Sequence, residues 1–201
     1  ASDVYKRQDL LSDCLASVRA QTYRPFEVVL VDDGSTSPAA VSYLDALSLE
    51  FEAEGWTLIR QENRYLGAAR NVAAKAARGE YLFILDDDNL LMPDGLQRAV
   101  QVAERTRADI VTAVMALFSG SLGTKPLWPT YLWPHTGTSA LLGALENNVG
   151  DANALVRRSS LMNLGGYTED RGVGAEDWEL YAKALLSGMR LEHSLMPLSW
   201  Y

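Results

Sequence analysis

Tyr81-Leu82-Phe83-Ile84-Leu85-Asp86-Asp87-Asp88-Asn89 runs five apolar or aromatic residues straight into three carboxylates. Gly79 and Pro93 bracket the run, and a short apolar segment between such breakers reads as a central strand, covered on both faces. In open α/β sheets, ligands sit just beyond the carboxyl ends of such strands. Adjacent carboxylates repel one another, and a divalent cation shared with a phosphorylated ligand relieves that repulsion. A solvated acidic turn, opened by Asp88 or Asn89 ahead of Pro93, is the plainer alternative.

Working upstream, an alanine-rich helix is predicted from Arg64 to Arg78, stopped by Gly79. Trp56 to Arg60 reads as a short strand. Ala39 to about Glu54 spaces Leu44, Leu47 and Phe51 as a helix does, with Gly55 as its stop. Glu27-Val28-Val29-Leu30-Val31 is a second apolar strand, ending in Asp32-Asp33-Gly34-Ser35, and a helix from about Asp9 to Gln21 precedes it. Ala1 to Gln8 is polar without a clear period and reads as a remnant or non-native segment.

Downstream, Pro93 and Asp94 start a helix with Leu96, Val100 and Ala103 inward, and Asp109 to Ala116 follows as one strand. Between Ser119 and Gly150 the periodicity fails. Trp128-Pro129 and Trp133-Pro134 there suggest a long surface excursion whose rings suit either loop packing or the apolar faces of sugars. Ala152 to Arg157 is strand-like, and a short helix capped by Ser159 leads to the Gly165-Gly166 turn. Glu176-Asp177-Trp178-Glu179 opens a helix with Trp178, Tyr181 and Leu185 on one face and Gly188 at its end. The alternation predicts an α/β domain: an open, mostly parallel twisted sheet with helices on both faces.

Composition removes several function classes. A chain of 201 residues with 48% hydrophobic content is long enough for one sizeable core. A net charge of -8 argues against a nucleic-acid surface, which needs a basic patch to displace phosphate counterions. The single cysteine, Cys14, excludes an internal disulfide and shares an apolar helix face with Leu11, Leu15 and Val18. With His135 and His193 the only histidines, a histidine-rich zinc site is out of reach. Ile110 to Leu122 is broken by polar residues well short of the ~20 apolar residues of a membrane span. No signal peptide is visible, so a cytoplasmic location is expected, with peripheral association at the inner face of the membrane left open.

Four constellations stand out. Asp32-Asp33 at a strand tip suits ribose or base donors, although no G-x-G-x-x-G precedes it and a nicotinamide site is thereby disfavoured. Gly67-Ala68-Ala69-Arg70-Asn71 at a helix start permits close approach, and Arg70 there can meet a diphosphate. Asp86 to Asp88 is the third. Glu176-Asp177 is the fourth, and the preference of carboxylates for a first helical turn is a purely structural alternative for it.

As a set these residues resemble the inverting family 2 glycosyltransferases of the A-type nucleotide-sugar fold. The resemblance rests on QTYRPFEVVLVDDGSTS, GAARNVAAKAARGEYLFILDDDNLLMPDGL and GDANALVRRSSLMNLGGYTEDRGVGAEDWELYAKALLSGMRLE, and it runs from about Asp9 to Tyr201. It implies a Rossmann-like catalytic domain over residues 9–201, with a donor half at about 9–116 and an acceptor half at about 117–201. Asp32 and Asp33 would hold the donor nucleoside, with Gly67 and Arg70 nearby. Asp86 to Asp88 match the family's D-x-D: Asp86 would meet the ribose and Asp88 would bind Mn²⁺ or Mg²⁺ shared with the diphosphate. Asp177 matches the general base, with Glu176 beside it. A nucleotide-diphosphate sugar, most commonly a UDP-sugar, is the implied donor, and a glycan or lipid-linked molecule the implied acceptor, in cell-surface polysaccharide or glycoconjugate synthesis.

The chain departs from the family at both ends. The family's central first strand, with its I-P-x-Y-N-like ending, is echoed only by Tyr5-Lys6-Arg7, and the sequence stops at Trp200-Tyr201 where the family often continues. A gap in the sheet, truncation at both ends and weak activity of the chain as it stands are therefore expected. Two rivals differ in chemistry: a non-catalytic nucleotide-sugar binding domain, and a D-x-D phosphohydrolase, for which Leu90 is the wrong residue. A calcium loop fails at Leu90, Leu91 and Gln97.

Overall fold

The computed structural model describes residues 2–118, 129–135, 139–170 and 174–201. Helix α1 spans Ser2–Arg19 and leads to β1 (Val29–Asp33), α2 (Pro38–Glu54), β2 (Thr57–Gln61), α3 (Tyr65–Ala76) and β3 (Tyr81–Phe83). The chain continues through β4 (Leu90–Leu91), α4 (Gly95–Thr106), β5 (Ile110–Ala113), β6 (Met115–Leu117) and β7 (Tyr131–Trp133). It finishes with α5 (Ala140–Leu145), β8 (Leu155–Arg157), α6 (Arg158–Asn163), α7 (Glu176–Leu186), β9 (Leu191–Ser194) and β10 (Ser199–Trp200). The α/β class expected from the alternation is the class observed.

Local chemistry accounts for most boundaries. At the start of α2 the Ser37 hydroxyl accepts from the Ala40 amide at 3.1 Å and Pro38 occupies the first turn, where a missing N–H costs nothing. Gly55, left-handed at φ 68°, ends the helix, and its amide turns back to the Glu52 and Phe51 carbonyls. The predicted inward positions Leu44, Leu47 and Phe51 are buried, as are Leu96, Val100 and Ala103 of α4.

Several expectations are corrected. Helix α1 begins at Ser2 and not at about Asp9; no Gly or Pro interrupts 2–19, and extending a nucleated helix costs little. Helix α3 stops at Ala76, not at Gly79, because Glu27 draws the next turn away. Its carboxylate accepts from the Arg78 and Gly79 amides at 2.7 and 3.1 Å. The first strand lies at Val29–Asp33, so Asp32 and Asp33 are within it. Ser159 lies inside α6, whose N-cap is Arg157 without a side-chain cap.

The sheets are mixed, not mostly parallel. Ladders β1–β2, β5–β9 and β6–β10 are parallel, whereas β3–β8, β5–β8, β4–β10 and β6–β7 are antiparallel. Strand β8 inserts antiparallel between β3 and β5, giving the order β3-β8-β5-β9. This makes β3 an edge strand of its sheet, and of its three residues only Leu82 is buried. The single strand predicted over Asp109 to Ala116 is two, since Val114 turns its amide to the Ser194 carbonyl and the chain passes to a second sheet, β4-β10-β6-β7. Strands β1 and β2 form a two-stranded sheet of their own.

The largest core gathers Leu82, Ile110, Val156, Leu161, Leu180 and Tyr181 between β3-β8-β5 and α7. A second apolar cluster joins Val18 of α1 to Leu91 and Leu96, and Cys14 is buried beside it as predicted. Buried Gln21 bonds the Met92 carbonyl and the Leu96 amide, which holds the end of α1 against the turn that follows the carboxylates.

Candidate active site

Arg70 is the centre of the site. It projects from α3 and is only 6% exposed, so its charge needs partners. It finds two: Asp86 beyond β3, at 2.7 Å, and Glu176 in the first turn of α7, at 2.5 Å. The Tyr167 ring lies 5.4 Å from the guanidinium carbon. Burial opposes the arginine's charge, but Asp86, Tyr167 and Glu176 together more than offset this and hold its pKa above the ordinary range. The sequence placed Arg70 where it can meet a diphosphate; the structure commits its guanidinium to two carboxylates.

Asp177 lies next to Glu176. Burial raises its pKa and the neighbouring Glu176 charge adds to the rise, while the Trp178 amide, 2.7 Å from Oδ1, and Arg70 pull it down. Ala175, just before the helix, is held at φ 64°, a conformation that costs a residue with a Cβ about 1–2 kcal/mol. Trp178 anchors this end by donating from Nε1 to the Gly143 carbonyl at 2.7 Å. Gly174, just before this start, is exposed, and Gly172 lies outside the described residues.

The other carboxylates divide by environment. Asp86 is partly buried, whereas Asp87 and Asp88 are exposed. Together they help burial push the Cys14 thiol up to about 12, so Cys14 is a core thiol, not a nucleophile. Asp32 and Asp33 also differ. Asp32 accepts from the Ser35 amide at 3.0 Å and lines an open cleft of about 510 Å³ with Gly34, Arg60 and Asn63. Gly34 is required there, since a Cβ at its φ of 88° would lie 2.8 Å from the Asn63 amide nitrogen. Asp33 accepts from Gln61 Nε2 at 2.7 Å and from the Arg64 amide at 2.9 Å, which fixes the start of α3.

Helix α3 thus connects the two ends of the site. Asp33 holds Arg64, and Arg70 follows at a helical rise of roughly 9 Å. Gly67 meets the protein and not an open ligand space: a Cβ would sit 2.1 Å from the Thr168 carbonyl oxygen. Asn71 completes the joint, donating to the Tyr167 carbonyl at 2.8 Å and to Glu169 at 2.9 Å and accepting from the Tyr167 amide.

Two residues escaped the sequence reading. Asn153, 1% exposed, accepts from the Asp86 amide at 3.1 Å and donates to Asp151 at 2.8 Å. Burial pushes Asp151 up to about 6; the Asn153 hydrogen bond opposes the rise, and the charges of Asp86 and Asp177 add to it. The available signal was Asn153 inside, and Asp151 just before, an otherwise apolar run, Ala152 to Val156, that heads for the core.

Carboxylate oxygens with phosphate oxygens are the donor set that Mg²⁺ or Mn²⁺ prefers, and the exposed side chain of Asp88 fits such an ion. Among the described residues no three His, Cys, Asp or Glu side chains converge into a ready-made cage.

Residues 3–165 match the family model of Glycosyl transferase family 2. The chain belongs to that family. The succinoglycan biosynthesis protein ExoO of Rhizobium meliloti is 31% identical over 199 residues, covering 92% of this chain and 55% of ExoO. The structure of S. aureus TarS 1-349 in complex with UDP-GlcNAc superposes at TM-score 0.73 with 21% identity, covering 95% of this chain and 54% of TarS 1-349. The mannosyltransferase PcManGT from Pyrobaculum calidifontis, in complex with GDP-Man and Mn²⁺, gives a TM-score of 0.71 with 23% identity, over 96% of this chain and 53% of that one. At these identities the likeness shows a common fold. The chain spans about half the length of these three proteins.

Proposed function

We propose that this family 2 chain carries the donor site and base of an inverting, metal-dependent glycosyltransferase, which moves a sugar from a nucleoside-diphosphate donor to an acceptor hydroxyl. The observation that carries the reading is the Asp86–Arg70–Glu176 network, which joins the acidic end of β3 to the residue beside Asp177. The donor half, about 9–116, and the acceptor half, about 117–201, meet there.

Asp32 in its cleft takes the nucleoside, and Asp86 orients the ribose. Asp88, with Asp86, would hold Mn²⁺ or Mg²⁺, which when bound offsets the charge that builds on the departing diphosphate. Asp177 accepts the proton of the acceptor hydroxyl as its oxygen attacks the anomeric carbon from the face opposite the leaving group. The bond from that carbon to the diphosphate oxygen breaks, the nucleoside diphosphate departs, and the proton rests on Asp177. Burial makes Asp177 a stronger base than an exposed aspartate, and transfer rises with pH as this carboxyl ionises. Glu176, held by Arg70, fixes the helix start that presents it.

The bound UDP-GlcNAc of TarS and GDP-Man of PcManGT support a nucleotide-sugar donor, with a UDP-sugar the first candidate, and the name of ExoO supports a role in polysaccharide synthesis. Among the described residues no helix is long and apolar enough to cross a membrane. The reading places transfer in the cytoplasm, onto a glycan or lipid-linked acceptor presented at the inner face of the membrane.

The test screens the full-length protein against nucleotide sugars, with and without Mn²⁺, for thermal shift and nucleotide release. Asp177→Asn is expected to lower turnover by roughly 10²- to 10⁴-fold with donor binding kept. Asp88→Asn should weaken metal-dependent donor binding. Near-normal turnover in Asp177→Asn would remove the base assignment, and a wild type that binds nucleotide sugar without releasing nucleotide would make this a binding domain.

A further inference from the structure

Strand β7 carries two aromatic rings that the donor site does not use. Tyr131 and Trp133 alternate along it and so share one face, at 54% and 51% exposure. Their ring centroids are 6.1 Å apart in an edge-to-face pair, a geometry that leaves a ring face open to solvent. From Pro129 to His135 the chain bears no Asp, Glu, Lys or Arg.

The sheet connects this pair to the carboxylates. Tyr131 is opposite Leu117 of β6. On the other side of β6, the Tyr201 amide donates to the Ala116 carbonyl at 2.8 Å and the Phe118 amide to the Tyr201 carbonyl at 3.2 Å, which sets Tyr201 opposite Leu117 too. Tyr131, Leu117 and Tyr201 therefore form one cross-strand row, two strand spacings or roughly 10 Å wide. The row ends beside the site: Trp200, the residue before Tyr201, pairs with Leu90 of β4, two residues beyond Asp88.

We infer that the Tyr131–Trp133 face is the acceptor subsite, a stacking platform for a neutral oligosaccharide whose terminal hydroxyl is carried along the Tyr201 row to Asp177. This deepens the proposed transfer and rests on that reading. The axial C–H groups of a pyranose form an apolar face that matches an exposed aromatic ring, and an uncharged strand asks for an uncharged ligand. An anionic lipid surface would meet the Asp86–Asp88 carboxylates at the same edge and be repelled. A broad apolar protein partner has no reason to line up with the base.

The experiment presents an array of neutral oligosaccharides, cello-, β-1,3-gluco- and chito-oligosaccharides among them, to the full-length protein and to Trp133→Ala, Tyr131→Ala and Trp133→Phe. The same four proteins are tested for thermal shift by nucleotide sugars. The wild type should bind a restricted set of glycans, Trp133→Ala should lose roughly tenfold in affinity, and Trp133→Phe should keep most of it. The nucleotide-sugar shift should be unchanged throughout. Equal glycan binding by wild type and Trp133→Ala, or no glycan binding by a wild type that still responds to nucleotide sugars, would overturn the inference. So would a Trp133-dependent interaction with anionic vesicles in place of glycans. Loss of the nucleotide-sugar response in the wild type would instead defeat the transferase reading, with the glycan measurement standing apart from it.

Discussion

Adjacent aspartates close β1 and follow shortly after β3, yet the two ends are built differently. At β1 the carboxylates are held by neutral donors: the Ser35 and Arg64 amides and the Gln61 amide group. At β3 Asp86 is held by a buried guanidinium that also holds Glu176. Neutral donors leave an acceptor's charge available to a ligand's hydroxyl groups in an open cleft. A buried ion network fixes position at the cost of desolvation and makes each partner dependent on the others. The pattern of acidic residues is shared, and the burial of the counter-charge decides what each end can do.

The sharpest break of this contrast is Arg70→Met. Removing one partner from a buried ion network leaves carboxylates uncompensated, and about 3–5 kcal/mol of stability should be lost. Urea denaturation at pH 7 measures it. A triple variant, Arg70→Met with Asp86→Asn and Glu176→Gln, removes the charges together and should recover most of the loss. If Arg70→Met alone cost under ~1 kcal/mol, the network would be a surface-like pair and the distinction between the two strand ends would fail.

A pH-dependent effect should follow at Asp151, which reaches the β3 end through Asn153. Its carboxyl is raised from 3.8 to about 6 in the fold, so the native state binds the proton more tightly than the unfolded chain does. Below about pH 4 both states are protonated and no penalty exists. As pH rises towards 6 the unfolded state ionises first and stability falls, by an amount on the order of 3 kcal/mol once the folded group has ionised too. Asp151→Asn mimics the protonated form and keeps an oxygen for Asn153. It should therefore be more stable than the wild type at pH 7, with the difference vanishing towards pH 4. Denaturation series of both proteins at pH 4, 5, 6 and 7 check the sign, and a constant difference across that range would contradict it.

Local signals were legible in the sequence, and distant partners were not. The Gly55 stop of α2, the inward face of α4 and the acidic stretch after β3 each follow from residues within a few positions of one another. The edge position of β3 follows from β8, which pairs Tyr81 with Arg157, and nothing near Tyr81 announces that partner. The end of α3 was misread for the same reason, because Glu27 lies far from Gly79 in the chain. Arg70 stands out in the sequence as a cation near a helix start, but its pairing with Glu176 does not, because only the packed fold brings the two together. Asp151 and Asn153 show the same limit: a polar pair in an apolar run signals a buried network without saying which backbone it supports.

The smallest effect belongs to the β1 end. Asp33→Ala removes the acceptor of two neutral hydrogen bonds, from Gln61 and from the exposed Arg64 amide. Water can reach that amide in the variant, so the loss is the net worth of such bonds, about 1 kcal/mol, and not the penalty of a stranded charge. The effect should depend little on salt or on pH between 6 and 8, because no counter-ion is left behind. What should change is the donor end of the site: with the start of α3 less well fixed, nucleotide-sugar affinity should fall with no change in the pH profile of transfer. Titration calorimetry with the preferred nucleotide sugar, beside a pH–rate profile, separates the two. A shifted pH profile in Asp33→Ala would mean that α3 transmits changes from Arg64 through Arg70 to the helix start beside Asp177, and that the two strand ends work as one unit.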